Sequence, residues 1–413
     1  MSENSAKYPW LEELNEQQRE VVTHEEGPLL VVAGAGSGKT KTLAYRVAYL
    51  IERGVPPEKI LLLTFTRRAA EEMLHRASAV MYQTPSAVGN VWGGTYHGTA
   101  NRLLRMYGNV VGLSADFTVM DQGDAADLMN VVRQEQGMGG KGDRFPRKNT
   151  CLGIYSRCAN GEEKLHDVIE QNYPWCAKWE QELKELFAAY VSRKQEKGVM
   201  DYDDLLLYWE MLLRDDSLAK QIGGRFDHVL VDEYQDTNPV QARILAGMRR
   251  FNHNVMAVGD DAQSIYGFRA ATVRNMREFP ETFPGTRVLK LEKNYRSVQP
   301  ILETTNAVME QAQGLYSKEL YAARQDSEPP KIVLCEDEHN QDEFVVDTVC
   351  RHYEDGIPLS RQAVLFRASH LSDTLEAELT RRNIPYHKFG GLRFLEAAHI
   401  KDLMAFLRVR ENA

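Results

Sequence analysis

The chain has 413 residues, a net charge of -9, 43% hydrophobic and 26% charged residues, which is the make-up of a globular protein of roughly two to four domains and argues against one that coats nucleic acid wholesale, while leaving local basic patches open. Five cysteines, at 151, 158, 176, 335 and 350, form no C-x-x-C pair, so a disulfide framework or a zinc site is not expected and a reducing cytosol fits. The polar first ten residues and the lack of any long apolar run predict no secretory leader and no membrane span.

Residues 29–33 are a short apolar run that opens into a glycine loop, residues 40–50 read as a helix, 60–65 as a second strand and 68–80 as a second helix. That rhythm predicts an α/β fold on a parallel sheet. Residues 93–222 read as an inserted helical domain, with amphipathic helices at 124–134 and 179–197 and a loop rich in glycine and basic residues at 139–160. Strands at 228–231 and 255–258 rejoin the first sheet. A second α/β unit is expected from about Gly285, with strands at 287–291, 331–335 and 363–366, helices at 299–310, 341–353 and 371–382, and a last helical segment at 400–409.

Ala33, Gly34, Ala35, Gly36, Ser37, Gly38, Lys39 and Thr40 lie between the first strand and its helix. Glycines let backbone N–H groups close around phosphate oxygens, and the helix N-terminus adds the positive end of its dipole. Lys39 is then placed to reach the β- and γ-phosphates of ATP, and Thr40 to ligate Mg²⁺. The strict motif has glycine at the position of Ala33. The competing reading, a plain glycine-rich turn, does not account for strand, G-x-G-K-T and helix together.

A second apolar strand ends in Asp232 and Glu233. At the C-terminal edge of a parallel sheet these carboxylates fall beside the phosphate loop. Asp232 would hold Mg²⁺, directly or through water, and Glu233 would orient and deprotonate the attacking water. By itself such a pair is usually a solvated strand end. A third strand delivers Gln263, which could sense the γ-phosphate, and then Tyr266, Phe268 and Arg269. Aromatics on a loop suit base stacking, worth about 1–3 kcal/mol per base. In isolation they would be read as packing a loop onto the core.

This ordered series resembles the superfamily 1 DNA helicases of the UvrD/Rep/PcrA type, from about Leu14 to the last helical segment. Leu14, Asn15, Glu16, Gln17, Gln18 and Arg19 resemble the family's adenine-recognising motif, with Gln18 as the reader. Thr64, Phe65 and Thr66, followed by Ala69 to Met73, resemble the motif that grips single-stranded DNA, and Gly94, Thr95, Tyr96 and His97 resemble the next DNA-contacting motif. Asp232 to Asp236 match the family's carboxylate strand. Asn294, Tyr295, Arg296 and Ser297 resemble the first motif of a second core domain, in which Arg296 would contact the γ-phosphate and Tyr295 would stack on adenine. Tyr386 to Asp402 resemble the segment before the family's second insertion.

The resemblance implies a RecA-like P-loop NTPase that holds ATP and Mg²⁺ in a cleft between two core domains. It also implies 3′→5′ movement along single-stranded DNA, action at single-strand/duplex junctions in repair or replication, and a cytoplasmic, nucleoid-associated location. The domains would be residues 1–92 with 223–284 (first RecA-like domain), 93–222 (helical insertion) and 285–413 (incomplete second RecA-like domain). Lys41 departs from the family's adenine-stacking arginine, and a lysine has no planar face. The family's later motifs, including its arginine finger, do not occur in these residues. Such a finger is worth roughly 10³–10⁵ in rate. The chain alone is therefore expected to bind ATP but hydrolyse it poorly, with a C-terminal remainder or a partner subunit completing the second domain. A nucleotide-gated DNA-binding protein without motor activity is the alternative, and a translocase subunit of a recombination nuclease a more distant one. Lys141, Arg144, Arg147, Lys148 and Arg157 in the insertion read equally as a DNA-backbone contact or as a solvated loop.

Overall fold

Strands β1 (Leu29–Ala33), β2 (Ile60–Thr64) and β3 (Trp92–Thr95) lie beside β6 (His228–Val231), β7 (Val255–Gly259) and β8 (Arg287–Leu291) in one all-parallel sheet, ordered β3-β2-β6-β7-β1-β8. The short β4 (Thr118–Val119) and β5 (Val199–Met200) pair with each other elsewhere. The structure is a computed structural model that describes residues 8–81, 85–138, 145–267, 270–312, 316–324 and 328–389.

Every residue of β1, β2 and β7 is buried, as expected of parallel strands covered on both faces. Successive side chains alternate between two cores. Leu30, Val32, Leu61, Leu63, Val229 and Val231 join one, and Leu29, Val31, Ala33, Ile60, Leu62 and Leu230 join the other. Helices α1 (Glu16–Val22), α2 (Lys39–Glu52), α3 (Arg67–Val80) and α4 (Tyr96–Tyr107) supply much of the covering. The insertion has its own core between α5 (Gln122–Glu135), α6 (Lys148–Gly161), α7 (Leu165–Asn172) and α8 (Glu180–Lys197). Then α9 (Tyr202–Leu212) and α10 (Asp216–Gly223) return the chain to β6, and α11 (Pro239–Met248) and α12 (Arg274–Thr282) flank β7. Beyond β8 come β9 (Lys293–Val298), α13 (Gln299–Glu310) and β10 (Tyr321–Arg324), with β10 paired to β9.

The chain divides into two units, Met1–Pro329 and Pro330–Ala413. The second holds α14 (Glu338–Glu354) and α15 (Asp373–Arg381), joined through Val346, Leu375 and Leu379. No helix among the described residues is long and apolar enough to cross a membrane.

Three expectations need correction. The supposed loop at 139–160 contains α6, because Cys151, Leu152, Ile154 and Tyr155 recur at helical spacing and are buried in the insertion core. Gly153 and the basic residues before it obscured that period. The strand at 287–291, expected to begin a second unit, is the edge strand of the first sheet: Ala33 pairs with Leu291, and Leu289 and Leu291 pack on the core beneath β1. Residues 331–335 and 363–366 are not strands. Their composition suits a ladder, yet among the described residues they have no ladder partner, and Ile332, Leu334 and Leu365 are 94%, 93% and 94% exposed. The last helical segment and the resemblance at 390–402 lie outside the described residues.

Candidate functional site

Parallel pairing brings the C-terminal ends of β1, β6 and β7 to one edge of the sheet, where open α/β sheets bind ligands. The loop from Ala33 to α2 is wound tightly there. Gly36 and Gly38 have φ of 72° and 88°, a left-handed conformation that glycine adopts without strain. A Cβ at Gly36 would lie 2.8 Å from Arg296 Cβ, and one at Gly38 2.7 Å from Gln18 Nε2.

Four consecutive loop carbonyls are bonded to protein donors. Gly34 O accepts from Ser37 N–H (3.2 Å) and Ser37 Oγ (2.8 Å), and Ala35 O from Asn294 Nδ2. Gly36 O accepts from Tyr295 N–H (2.9 Å), and Ser37 O from Gln18 Nε2 (2.9 Å). A loop whose acceptors are used in this way suits a ligand that is itself an acceptor, such as phosphate. Thr40 and Lys41 follow Lys39 in the first turn of α2. Lys41 Nζ donates to Glu13 O at 2.9 Å and stands 5.1 Å from the Tyr45 ring centroid.

Lys39 Nζ and Glu233 Oε2 are 3.4 Å apart, within ion-pair reach, yet Lys39 Nζ has no hydrogen-bond partner among the described residues. Asp232 is buried at the end of β6, with its N–H on Leu63 O at 2.9 Å. Its Oδ1 and Asp236 Oδ1 are also without partners among the described residues. Burial, reinforced by Glu233 and opposed by Lys39, pushes the Asp232 carboxyl up to about 7, and burial followed by Glu233 raises Asp236 to about 6. Glu233 itself has φ 48°, a strained left-handed conformation for a non-glycine residue, of a kind that collects at functional sites. A buried ammonium facing unsatisfied carboxylate oxygens is costly unless compensated. A phosphate group and a divalent cation supply both missing partners, so these residues fit Mg²⁺ and a nucleotide, with Thr40 and Asp232 as the groups that would hold the metal.

Gln263 closes a short turn after β7 and donates to Asp260 Oδ2. Gln235, to which the sequence reading gave no role, joins the two turns. Its Nε2 donates to Glu233 Oε2 (2.9 Å) and Asp236 Oδ2 (3.3 Å), and its Oε1 accepts Asp260 N–H (2.9 Å). Burial of a glutamine between two carboxylate turns could have been suspected from D-E-Y-Q-D, but that motif directs attention to its charges.

On the other flank, Gln18 is buried. Its Oε1 accepts Asn15 N–H at 3.3 Å while its Nε2 holds Ser37, so both ends of the amide brace α1 against the loop. Tyr295 is exposed, and its hydroxyl accepts from Asn15 Nδ2 at 2.8 Å. Arg296 is exposed beside Gly36. Asn294, also without a role in the sequence reading, sets this turn: its Oδ1 accepts the N–H groups of Arg296 and Ser297, each at 2.7 Å. Gln17 holds Glu292, two residues before Asn294, accepting its N–H at 3.1 Å and donating to its Oε2 at 3.4 Å.

The residues expected to meet DNA lie at neighbouring strand ends. Thr64 is buried, its hydroxyl donating to Thr66 O at 2.7 Å, and Thr66 caps α3 by accepting Ala69 N–H at 3.1 Å. The Phe65 and Tyr266 rings lie against each other, centroids 4.8 Å apart and tilted by 40°. His97 lies against Tyr202, centroids 5.7 Å apart. Phe268 and Arg269 lie outside the described residues, as do Lys141 and Arg144. Arg157 is on α6, paired with Glu163 at 3.2 Å and donating to Gly267 O, and Lys148 pairs with Asp127. Those two charges are partly neutralised within the protein.

The family model for the UvrD/REP helicase N-terminal domain matches residues 14–284, and that for the UvrD-like helicase C-terminal domain matches residues 289–413. The chain is 36% identical to DNA helicase II of Escherichia coli (strain K12), over 97% of this chain and 55% of that protein. It is 36% identical to ATP-dependent DNA helicase UvrD1 of Mycobacterium tuberculosis (strain ATCC 25618 / H37Rv), over 97% and 53%, and 32% identical to ATP-dependent DNA helicase PcrA of Staphylococcus epidermidis, over 97% and 54%. The chain spans about half the length of the curated relatives it matches. On these matches and the fold, the chain belongs to the UvrD/REP helicase family.

Proposed function

We propose that this chain is the ATP-binding part of a 3′→5′ DNA helicase or translocase, acting on single-stranded DNA and its junctions with duplex in repair or replication in the cytoplasm. The single observation that carries the reading is the unsatisfied polar pocket beside the phosphate loop: Lys39 Nζ and Asp232 Oδ1 are buried without hydrogen-bond partners among the described residues, 3.4 Å of ion-pair distance separates Lys39 from Glu233, and four loop carbonyls are already bonded. Lys39 binds the β- and γ-phosphates, Thr40 and Asp232 hold Mg²⁺, and Glu233 orients the attacking water and takes its proton. Gln263 and Arg296 meet the terminal phosphate, and Gln18, Lys41 and Tyr295 border the base. Held by Thr40 and Asp232, Mg²⁺ would supply positive charge to offset the negative charge that develops in phosphoryl transfer. Thr64, Phe65, Thr66, His97, Tyr266, Phe268 and Arg269 form the single-strand path. The domains are residues 1–92 with 223–284, 93–222 and 285–413, the last an incomplete second RecA-like domain whose first strand, 287–291, is seated at the edge of the first domain's sheet.

A second reading, nucleotide-gated DNA binding without autonomous motor activity, is favoured for the 413-residue chain by the exposed apolar segments at 331–335 and 363–366. Residues of that composition pair with further strands, and we infer that additional polypeptide supplies them. The test is Mg·ATP binding and DNA-stimulated hydrolysis by this chain and by Lys39→Ala. Nucleotide binding that Lys39→Ala abolishes, with slow turnover, is the expected result. Brisk DNA-stimulated turnover by the chain alone would refute the second reading, and binding indifferent to Lys39→Ala would refute the first.

A further inference from the structure

Behind Gln263 lies a buried charge cluster to which no role has been given. Lys318 Nζ is 2.6 Å from Asp260 Oδ1 and contacts Asp261 Oδ1, and the three side chains are 9%, 3% and 0% exposed. The other carboxylate contacts all reach the same turn or the Lys318 segment. Asp260 Oδ2 accepts from Gln263 Nε2, Asp260 Oδ1 from Ala262 N–H at 3.1 Å, and Asp261 Oδ2 from Tyr316 N–H at 2.6 Å. Lys318 comes from residues 316–324, which also touch the phosphate loop: a Cβ at Gly34 would fall 2.2 Å from Leu320 Cδ2.

Two adjacent carboxylates buried together repel one another, and a single ammonium between them compensates both. The ammonium here also contacts the carboxylate that holds the Gln263 amide. Its removal leaves Asp260 and Asp261 facing each other unscreened, and Asp260 is the group that fixes where Gln263 points. The segment that carries the ammonium rests on the same loop that would carry the phosphates.

We propose that Lys318 is a positioning residue which, through Asp260, sets Gln263 where it distinguishes a nucleoside triphosphate from a diphosphate. This rests on the nucleotide-site reading of the phosphate loop. The affinities of Mg·ADP and of Mg·AMP-PNP, a triphosphate analogue that resists hydrolysis, are measured by calorimetry on the 413-residue chain, on Lys318→Met, on Gln263→Ala and on the double variant. Lys318→Met is expected to lower the triphosphate-to-diphosphate affinity ratio about tenfold while ADP affinity stays within about twofold. Gln263→Ala should give the same loss, and the double variant no more than either single one, because both act at one point. A purely structural lysine would weaken both nucleotides alike or add its loss to that of Gln263→Ala, and either result overturns the proposal, as does an unchanged ratio. If Lys318→Met does not fold by circular dichroism, Lys318→Arg carries the same test, since a planar guanidinium cannot occupy the place of a compact ammonium between two carboxylates. A wild-type chain that binds neither nucleotide, and matches Lys39→Ala, instead defeats the nucleotide reading on which the proposal stands.

Discussion

Gln235 and Asp260 meet where the ends of β6 and β7 converge: Gln235 Oε1 accepts the Asp260 N–H at 2.9 Å, while the same amide donates to Glu233. The contact needs the bare backbone of Gly259, where a Cβ would lie 2.7 Å from Gln235 Oε1 and 2.9 Å from Met276 Sδ. Gly259→Ala is expected to displace the amide, leave the Asp260 N–H buried without its acceptor and cost about 1–3 kcal/mol. Nucleotide affinity should fall with it, because Glu233 loses its tether. Urea unfolding and calorimetry on the same preparation check both effects, and a variant as stable and as tight-binding as the wild type contradicts them.

Lys194 on α8 is buried between Asp201 Oδ2 (2.6 Å) and Asp204 Oδ2 (2.7 Å), and Tyr190 Oη donates to Asp201 at 3.0 Å. Asp201 caps α9, so this cluster joins the insertion to the helix that leads back to the sheet. Lys194→Met should destabilise the protein by about 3–5 kcal/mol, since it strands two buried carboxylates. Adding Asp201→Asn should recover part of that loss. Thermal melts of the two variants give the answer, and a midpoint unmoved by Lys194→Met would mean the cluster is not compensated as described.

His228 begins β6. Burial, with Arg46, Arg249 and Arg53 adding to it, pushes its imidazole from 6.5 down to about 4. The folded state thus takes up this proton less readily than the unfolded chain. Its stabilising effect is complete above about pH 6.5 and is lost as pH falls toward about 4, by at most roughly 3 kcal/mol. His228→Gln should flatten the decline in unfolding free energy between about pH 7.5 and 5. Parallel slopes for the variant and the wild type would rule this out.

The Phe65 and Tyr266 rings meet at a 40° tilt with centroids 4.8 Å apart, and Phe65 is 40% exposed. If bases stack against this pair, Phe65→Ala should weaken binding of a thymidine oligonucleotide by about 1–3 kcal/mol. The salt dependence should not change, because no phosphate contact is removed, and ADP affinity should be unaffected. Fluorescence anisotropy across a salt series separates these effects. A changed salt slope, or no loss at all, would count against stacking.

The parallel sheet, the tight glycine loop after its first strand and the strand that leads into Asp232 and Glu233 were legible because each is local. Runs such as Leu29–Ala33 declare burial on both faces, and G-x-G-K-T carries its own backbone requirement. What stayed hidden depends on partners far away in sequence. Arg287–Leu291 looks equally like the first strand of a new domain or the last of an old one until Leu291 is seen beside Ala33. Gln235, Asn294 and Gln17 act through amides, whose importance lies in what they join. Helix α6 was concealed by Gly153 and by flanking basic residues that favour a loop reading. At 331–335 the sequence signalled strand, but a strand exists only where something pairs with it.

One residue, Glu292, separates β8, which is hydrogen-bonded to β1, from β9, whose Tyr295 N–H is bonded to Gly36 O. Gln17 grips Glu292 at both backbone and side chain. With one residue between the strands and the Tyr295–Gly36 hydrogen bond across the joint, a displacement of residues 293–298 is expected to be felt at the loop around Gly36. The junction is built like a short crank, with Gln17 as its bearing.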